Sequence, residues 1–244
     1  MKFVILLALA SYASAQCEIA PQYWCTSRDV AAKCNALDAC DHWWKQQGDS
    51  KAVSISLYME SLCPDCRDFI DTMLYPTWVT FRNTSIMVAD MIPYGNAYEV
   101  ETPSGLWNFT CQHGLEECTG NLIENCIIKY TNYEFDIYFP IVHCMESSSD
   151  PIKAAEQCIT NGKQNWAAIN NCAKGEEGNA LMHKSAEKTD ALMPKHTYVP
   201  WILVNGVHSA ELQKKAQTDL GKLICEMYSG EKPKECQMFL HASH

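Results

Sequence analysis

The sequence predicts an α/β fold: a small sheet carrying a C-x-x-C pair, interrupted by a helical insertion and preceded by a small disulfide-rich module. Three observations carry this. The run Val53-Ser54-Ile55-Ser56-Leu57-Tyr58-Met59 alternates large apolar residues with Ser and Tyr, the period-2 pattern of a strand. Cys63-Pro64-Asp65-Cys66 then leads into a segment that sets Phe69, Ile70, Met73 and Leu74 on one helical face, which Pro76 is expected to close. Far downstream, Tyr198 to Val204 reads as a buried strand, followed by Asn205-Gly206, a strong short hairpin signal.

Taken in order, residues 1–15 read as a secretory signal peptide. Lys2 supplies the charged region, Phe3 to Ala10 the apolar core and Ala13-Ser14-Ala15 a small-residue cleavage site. The apolar stretch is too short to span a bilayer, and no later segment reaches the roughly 20 apolar residues of a membrane helix, so membrane insertion is not expected. Residues 16–47 crowd Cys17, Cys25, Cys34 and Cys40 around Pro21, Tyr23 and Trp24, and so small a module must depend on bridges. The polar stretch Lys45 to Lys51 has the composition of a linker. The main domain is expected over 52–236. After the first strand and helix, Ile86-Met87-Val88-Ala89 should form a parallel strand, completing a βαβ unit. The segment of about 93–197 is too long for a loop. It holds six cysteines and mostly helical composition, so it is expected to be a helical insertion, a lid over the sheet. Val207 and His208 should begin a return strand. Ala210 to Met227 then form a helix through Leu212, Ala216, Leu220, Leu223 and Ile224.

This order resembles the thioredoxin-like fold, in which a C-x-x-C at a strand-to-helix junction performs dithiol–disulfide chemistry. Half a zinc site and a plain structural bridge are the alternatives for an isolated C-x-x-C; the flanking strand and helix favour redox. Cys63 would sit at the helix N-terminus, where unpaired N–H groups and the dipole stabilise a thiolate, with Cys66 as its resolving partner. Asp65 would oppose that thiolate, and Arg67 is the adjacent cation. The thioredoxin-like resemblance implies that Pro200 is cis and pairs with the substrate backbone.

Fourteen cysteines in 244 residues fit an oxidising route, and beyond Cys63 and Cys66 they allow up to six bridges. Sequons at Asn83 and Asn108 fit the same route as glycosylation sites. A net charge of −10 with pI near 5.2 argues against nucleic acid and anionic membrane surfaces as partners. The end Leu240-His241-Ala242-Ser243-His244 matches neither an ER-retention tetrapeptide nor a lipid-anchor signal.

The stretch Cys111-Gln112-His113-Gly114-Leu115-Glu116-Glu117-Cys118-Thr119-Gly120-Asn121-Leu122-Ile123-Glu124-Asn125-Cys126 matches the C-Q-H-G-x-x-E-C-x-x-N-x-x-x-x-C signature of the gamma-interferon-inducible lysosomal thiol reductase family, which the chain resembles from about Val53 to Cys236. The module at 16–47, with Pro21-x-Tyr23-Trp24-Cys25, is similar to saposin A-type modules. The family resemblance implies an enzyme that reduces disulfide-containing proteins in an endosome or lysosome, with secretion as a further destination. It implies no bound cofactor and no metal, and a small thiol to regenerate the dithiol. A secretory-pathway oxidase or isomerase and a disulfide-stapled binding protein are the competing readings. Cys111, Cys118 and Cys126, seven and eight residues apart, would line one helical stripe and pin it by bridges. Zinc held by His113 and these cysteines is the alternative.

Overall fold

The structure is a computed structural model that describes residues 31–32, 34–38, 40 and 52–240. The expected signal peptide, and most of the module at 16–47, lie outside the described residues. The chain divides into two compact units, Met1–Gln47 and Gly48–His244. In the first, Cys34 and Cys40 are buried and disulfide-bonded.

In the second unit the central strand β1 (Val53–Met59) pairs in parallel with β2 (Met87–Pro93) and antiparallel with β5 (Trp201–Val204), giving the order β2-β1-β5. Val53, Ile55, Leu57 and Met59 point into the core with at most 1% of their surface exposed. The alternation read from the sequence is therefore the alternation of a strand with one buried face. Helix α1 (Pro64–Phe69) follows the C-x-x-C and continues through a π turn, Ile70–Leu74, into α2 (Tyr75–Phe81). This strand–helix–parallel strand unit with an antiparallel partner is the expected thioredoxin-like arrangement. Pro76, however, does not close the helix. The widened turn bonds the Tyr75 N–H to the Ile70 carbonyl, five residues back, and Pro76 falls in the first turn of α2, where its missing N–H costs nothing. Phe69, Ile70, Leu74, Trp78 and Phe81 are buried along the combined helix.

The insertion is mostly but not wholly helical. It opens with an antiparallel hairpin, β3 (Tyr98–Glu101) and β4 (Trp107–Thr110). Five helices follow: α3 (Leu115–Tyr130), α4 (Phe135–Glu146), α5 (Pro151–Asn161), α6 (Trp166–Lys174) and α7 (Glu176–Asp190). Its six cysteines pair among themselves as Cys111–Cys118, Cys126–Cys172 and Cys144–Cys158. Cys111 precedes α3 and bonds back to its first turn, so the three signature cysteines do not form one helical stripe. As disulfides they are also withdrawn from any zinc site.

After β5 the expected return strand is absent from the sheet: Val207 makes only an isolated bridge with Val204. The Asn205-Gly206 turn itself forms as read, with both residues at positive φ and Val204 and Val207 exchanging backbone hydrogen bonds at 2.9 and 3.1 Å. Asn205 also ties it to β1, its N–H donating to the Ser54 carbonyl at 2.8 Å and its Oδ1 accepting the Ser54 N–H at 2.9 Å. Ser209 then caps α8 (Ala210–Met227) by accepting the Leu212 N–H. Cys225–Cys236 ties α8 to the short 3-10 turn Lys234–Cys236, ahead of α9 (Gln237–Leu240). Among the described residues no helix is long and apolar enough to cross a membrane.

Candidate active site

Cys63 is the N-cap of α1: its sulfur accepts the Cys66 N–H at 3.4 Å, and Pro64 occupies the first helical position. Both thiols are free and buried. The Cys63 thiol is held below its ordinary value chiefly by a hydrogen bond from the Cys66 thiol. The Cys66 and Asp65 N–H groups add to this, while burial and the Glu60 carboxylate work against it. Burial pushes the Cys66 thiol up, and its bond to the Cys63 sulfur adds to this. The two sulfurs are thus driven apart in acidity, with Cys63 the stronger acid and Cys66 the reservoir of the proton.

Of the charges read from sequence beside the thiols, neither plays the part expected of it. Asp65 is exposed, and its N–H rather than its carboxylate bears on Cys63. Arg67 turns away to donate to the Glu146 carbonyl at 2.7 Å and to the Ser148 carbonyl, with its Nε 3.7 Å from Glu146 Oε2. It anchors α1 to the end of α4. The acid next to the dithiol is Glu60, at the end of β1 and fully buried. Burial raises its carboxyl to about 7, against an opposing hydrogen bond from the Asn96 N–H.

The signature stretch builds the floor of this site. Asn121 Oδ1 accepts the Ser61 N–H at 2.8 Å, fixing the loop between β1 and Cys63, in which Leu62 adopts a left-handed backbone (φ 68°). Asn125 bonds the Pro93 carbonyl at 2.8 Å and takes a hydrogen bond from Ser185 at 2.6 Å. At Gly120 the helix passes so close to this loop that a Cβ would come within 2.2 Å of Ser61 Oγ. Gly120→Ala is therefore expected to destabilise the fold by about 1–3 kcal/mol and to lower activity by shifting the Cys63 loop. Thermal unfolding and turnover measured together check this; a wild-type melting temperature would contradict it. Glu117 accepts the Gln112 N–H at 2.9 Å and the His113 N–H at 3.1 Å, and its second oxygen contacts the His113 ring. Burial is the largest influence on His113 and disfavours its charged form. The hydrogen bond the ring donates to Glu117 and the charges of Glu117, Glu60 and Cys63 together outweigh it, and the ring is raised above its usual value. Among the described residues, Glu60, His113 and Glu117 are the three donors close enough together to hold a metal. Glu117 and His113 already satisfy each other through their hydrogen bond.

Beneath the loop lies a second pair of acids. Glu146 Oε1 accepts the Ser61 hydroxyl at 2.8 Å, and the carboxyls of Glu146 and Glu124, both buried, are within hydrogen-bonding reach of each other. Burial raises both. No protein donor faces either Glu124 oxygen, so a proton on Glu124 is what allows the pair to bond.

The Val199–Pro200 peptide is cis, as expected. In the β1–β5 register Pro200 lies one step beyond the Tyr58–Trp201 pair, at the end of β1 that leads to Glu60 and Cys63. Buried Gln213 holds this segment, donating to the Pro200 carbonyl and accepting the Ile202 N–H, both at 2.9 Å. Asn83, in the turn after α2, and Asn108, on β4, are both exposed. Glu60 stands in the family-like stretch Leu57 to Cys63 but nothing there gives it a role, and Gln213 is unmarked in the sequence. Glu117 and Asn121 are fixed positions of the signature, which flags them without saying what they touch.

A family model and several relatives agree on the kinship of this chain. The family model described as gamma interferon inducible lysosomal thiol reductase matches residues 54–162. The chain is 42% identical over 241 residues to a gamma-interferon-inducible lysosomal thiol reductase of Carassius auratus, covering 96% of this chain and 92% of that one. It is 39% identical to the Mus musculus protein of the same name, covering 86% and 82%. A gamma-interferon-responsive lysosomal thiol protein of Arabidopsis thaliana is 35% identical, covering 78% and 77%.

Proposed function

The chain belongs to the gamma-interferon-inducible lysosomal thiol reductase family and is a thiol-disulfide oxidoreductase; from that premise we propose that it reduces protein disulfides in an acidic endosomal or lysosomal compartment through Cys63 and Cys66. The supporting observation is the split acidity of two free thiols at one helix N-terminus. Cys63 thiolate attacks a substrate disulfide and forms a mixed disulfide. Cys66 then attacks the Cys63 sulfur, the second substrate thiolate leaves, and the enzyme is left oxidised by two electrons. A small thiol returns it to the dithiol. Pro200, at the sheet end beside the pair, offers its neighbourhood to the substrate backbone, and Asn83 and Asn108 carry glycans.

Acid makes the lowered pKa of Cys63 necessary. An unperturbed thiol of pKa ~8.5 is ionised in only about one molecule in ten thousand at pH ~4.5. A helix terminus supplies perturbations of about 0.3–2 kcal/mol, so the Cys66 thiol and N–H donors must add to it. The test is the reduction potential of the Cys63–Cys66 pair across pH 4–8, with turnover of a disulfide-bonded protein by a small thiol. A reducing pair that turns over below pH 6 is expected. A pair as oxidising as a disulfide-forming oxidase, or one that is inert in acid, would overturn the reading.

A further inference from the structure

Glu60 is placed where a reductase working in acid needs a proton carrier. Its carbonyl accepts the Cys63 N–H at 3.4 Å, and its own N–H bears on the Cys66 sulfur. Its carboxylate charge opposes ionisation of both sulfurs. One carboxyl oxygen is pinned: Oε2 accepts the Asn96 N–H at 2.7 Å, across a turn in which Gly95 has φ +63° and a Cβ would fall 2.3 Å from that oxygen. The other, Oε1, is buried without a hydrogen-bond partner and lies 3.5 Å from His113 Nδ1. The His113 side chain keeps a third of its surface in solvent (33%), and the same Nδ1 also contacts Glu117 Oε2. The titratable groups facing Glu60 are therefore Cys63 and Cys66 on the loop and α1, His113 before α3, and Glu117 on α3. Together they set a titratable carboxyl between the dithiol and a partly exposed imidazole.

We propose that Glu60 shuttles the proton of the dithiol reaction and that His113 exchanges it with solvent. This rests on the reductase reading above. In the first step Cys63 thiolate attacks the substrate disulfide, the S–S bond breaks, and the leaving thiolate takes its proton from the Glu60 carboxyl, directly or through one water. In the second step the Glu60 carboxylate takes the proton of Cys66 while the Cys66 sulfur attacks Cys63 and the Cys63–substrate bond breaks. The second substrate thiolate is protonated from solvent through His113, and Glu60 ends protonated as it began. Both substrate sulfurs are reduced, and Cys63 and Cys66 are oxidised. Because the resting carboxyl is neutral in acid, it also leaves the Cys63 thiolate unopposed there. The signature motif thus acquires a chemical purpose: it places His113 against Glu60.

Glu60→Gln separates this from a packing role, because the amide keeps the Asn96 bond and cannot carry a proton. The expected result is a split. Turnover should fall about 10²-fold or more, while iodoacetamide alkylation of Cys63 near pH 7 becomes faster because the opposing charge is gone. His113→Gln should slow turnover several-fold, and added imidazole should restore it. Unchanged turnover in Glu60→Gln, or turnover and alkylation falling together, would overturn the shuttle, as would a His113→Gln defect indifferent to imidazole. Should Glu60→Gln fail to fold, the imidazole response decides alone. Wild-type enzyme unable to reduce a protein disulfide would instead overturn the reductase reading itself.

Discussion

Replacing Cys63 by serine is expected to lower disulfide reduction by about 10³-fold or more, because no other free thiol in the described residues stands at a helix N-terminus. Cys66→Ser should behave differently. The serine hydroxyl can donate to the Cys63 sulfur in place of the Cys66 thiol, so the first attack is retained. With nothing to resolve the product, covalent enzyme–substrate mixed disulfide accumulates and is released only by added thiol. Non-reducing electrophoresis with mass spectrometry of the adduct reads this directly. Equal residual activity in the two variants, or adducts on Cys66 in wild type, would reverse the assignment. The asymmetry follows from geometry: Cys63 caps the helix, whereas Cys66 sits one turn inside and is fully buried.

The frame of this site was legible because its signals are local. Alternation in Val53–Met59, a cysteine pair at the start of a helix, and an apolar 3.6-residue period in Ala210–Met227 each declare themselves within a short window. What failed depended on partners far away. Pro76 was expected to stop a helix, but a π turn just before it absorbs the missing hydrogen bond. Asn205-Gly206 does turn the chain as read, Val204 and Val207 exchanging backbone hydrogen bonds across it. The return strand stops at Val207, however, and Asn205 is also tied to Ser54 of β1, 151 positions away. The hairpin of β3 and β4 hid inside a segment of helical composition, and its pattern is too short to stand out.

The charges show the same division more sharply. Sequence proximity pointed to Asp65 and Arg67 as the groups tuning Cys63. Folding exposes the first and commits the second to the Glu146 and Ser148 carbonyls. The acids that do reach the site, Glu60, Glu117, Glu124 and Glu146, are all buried. Burial is a tertiary property: the signature flags Glu117, but nothing in a sequence of net charge −10 says that these four glutamates are buried.

Those buried acids predict an unusual dependence of stability on pH. Glu60, Glu124 and Glu146 all have carboxyls raised above the ordinary value of 4.5, in each case chiefly by burial. At these three carboxyls the folded chain therefore binds more protons than the unfolded chain above pH 4.5. Stability from these groups is fully present below that pH and is lost as pH rises through the folded values, about 7 for Glu60. These three groups favour the fold more at pH 5 than at pH 7, against the half-buried His196 and His208, whose lowered values work the other way. Glu124 is the decisive member, because ionising it would leave two carboxylates facing each other beneath Ser61 with only Arg67 nearby. Glu124→Gln gives the pair a permanent donor and removes the charge. It should raise the melting temperature at pH 7 by about 5 °C, at the ~2–4 °C per kcal/mol of a domain this size, and change it little at pH 5. The pH dependence of melting should flatten accordingly. A Glu124→Gln curve parallel to wild type across pH 5–8 would show that the pair does not carry this dependence. A flattened curve would tie the order of the Cys63 loop to acid, because the Glu146 oxygen that accepts the Ser61 hydroxyl belongs to the same proton-sharing pair.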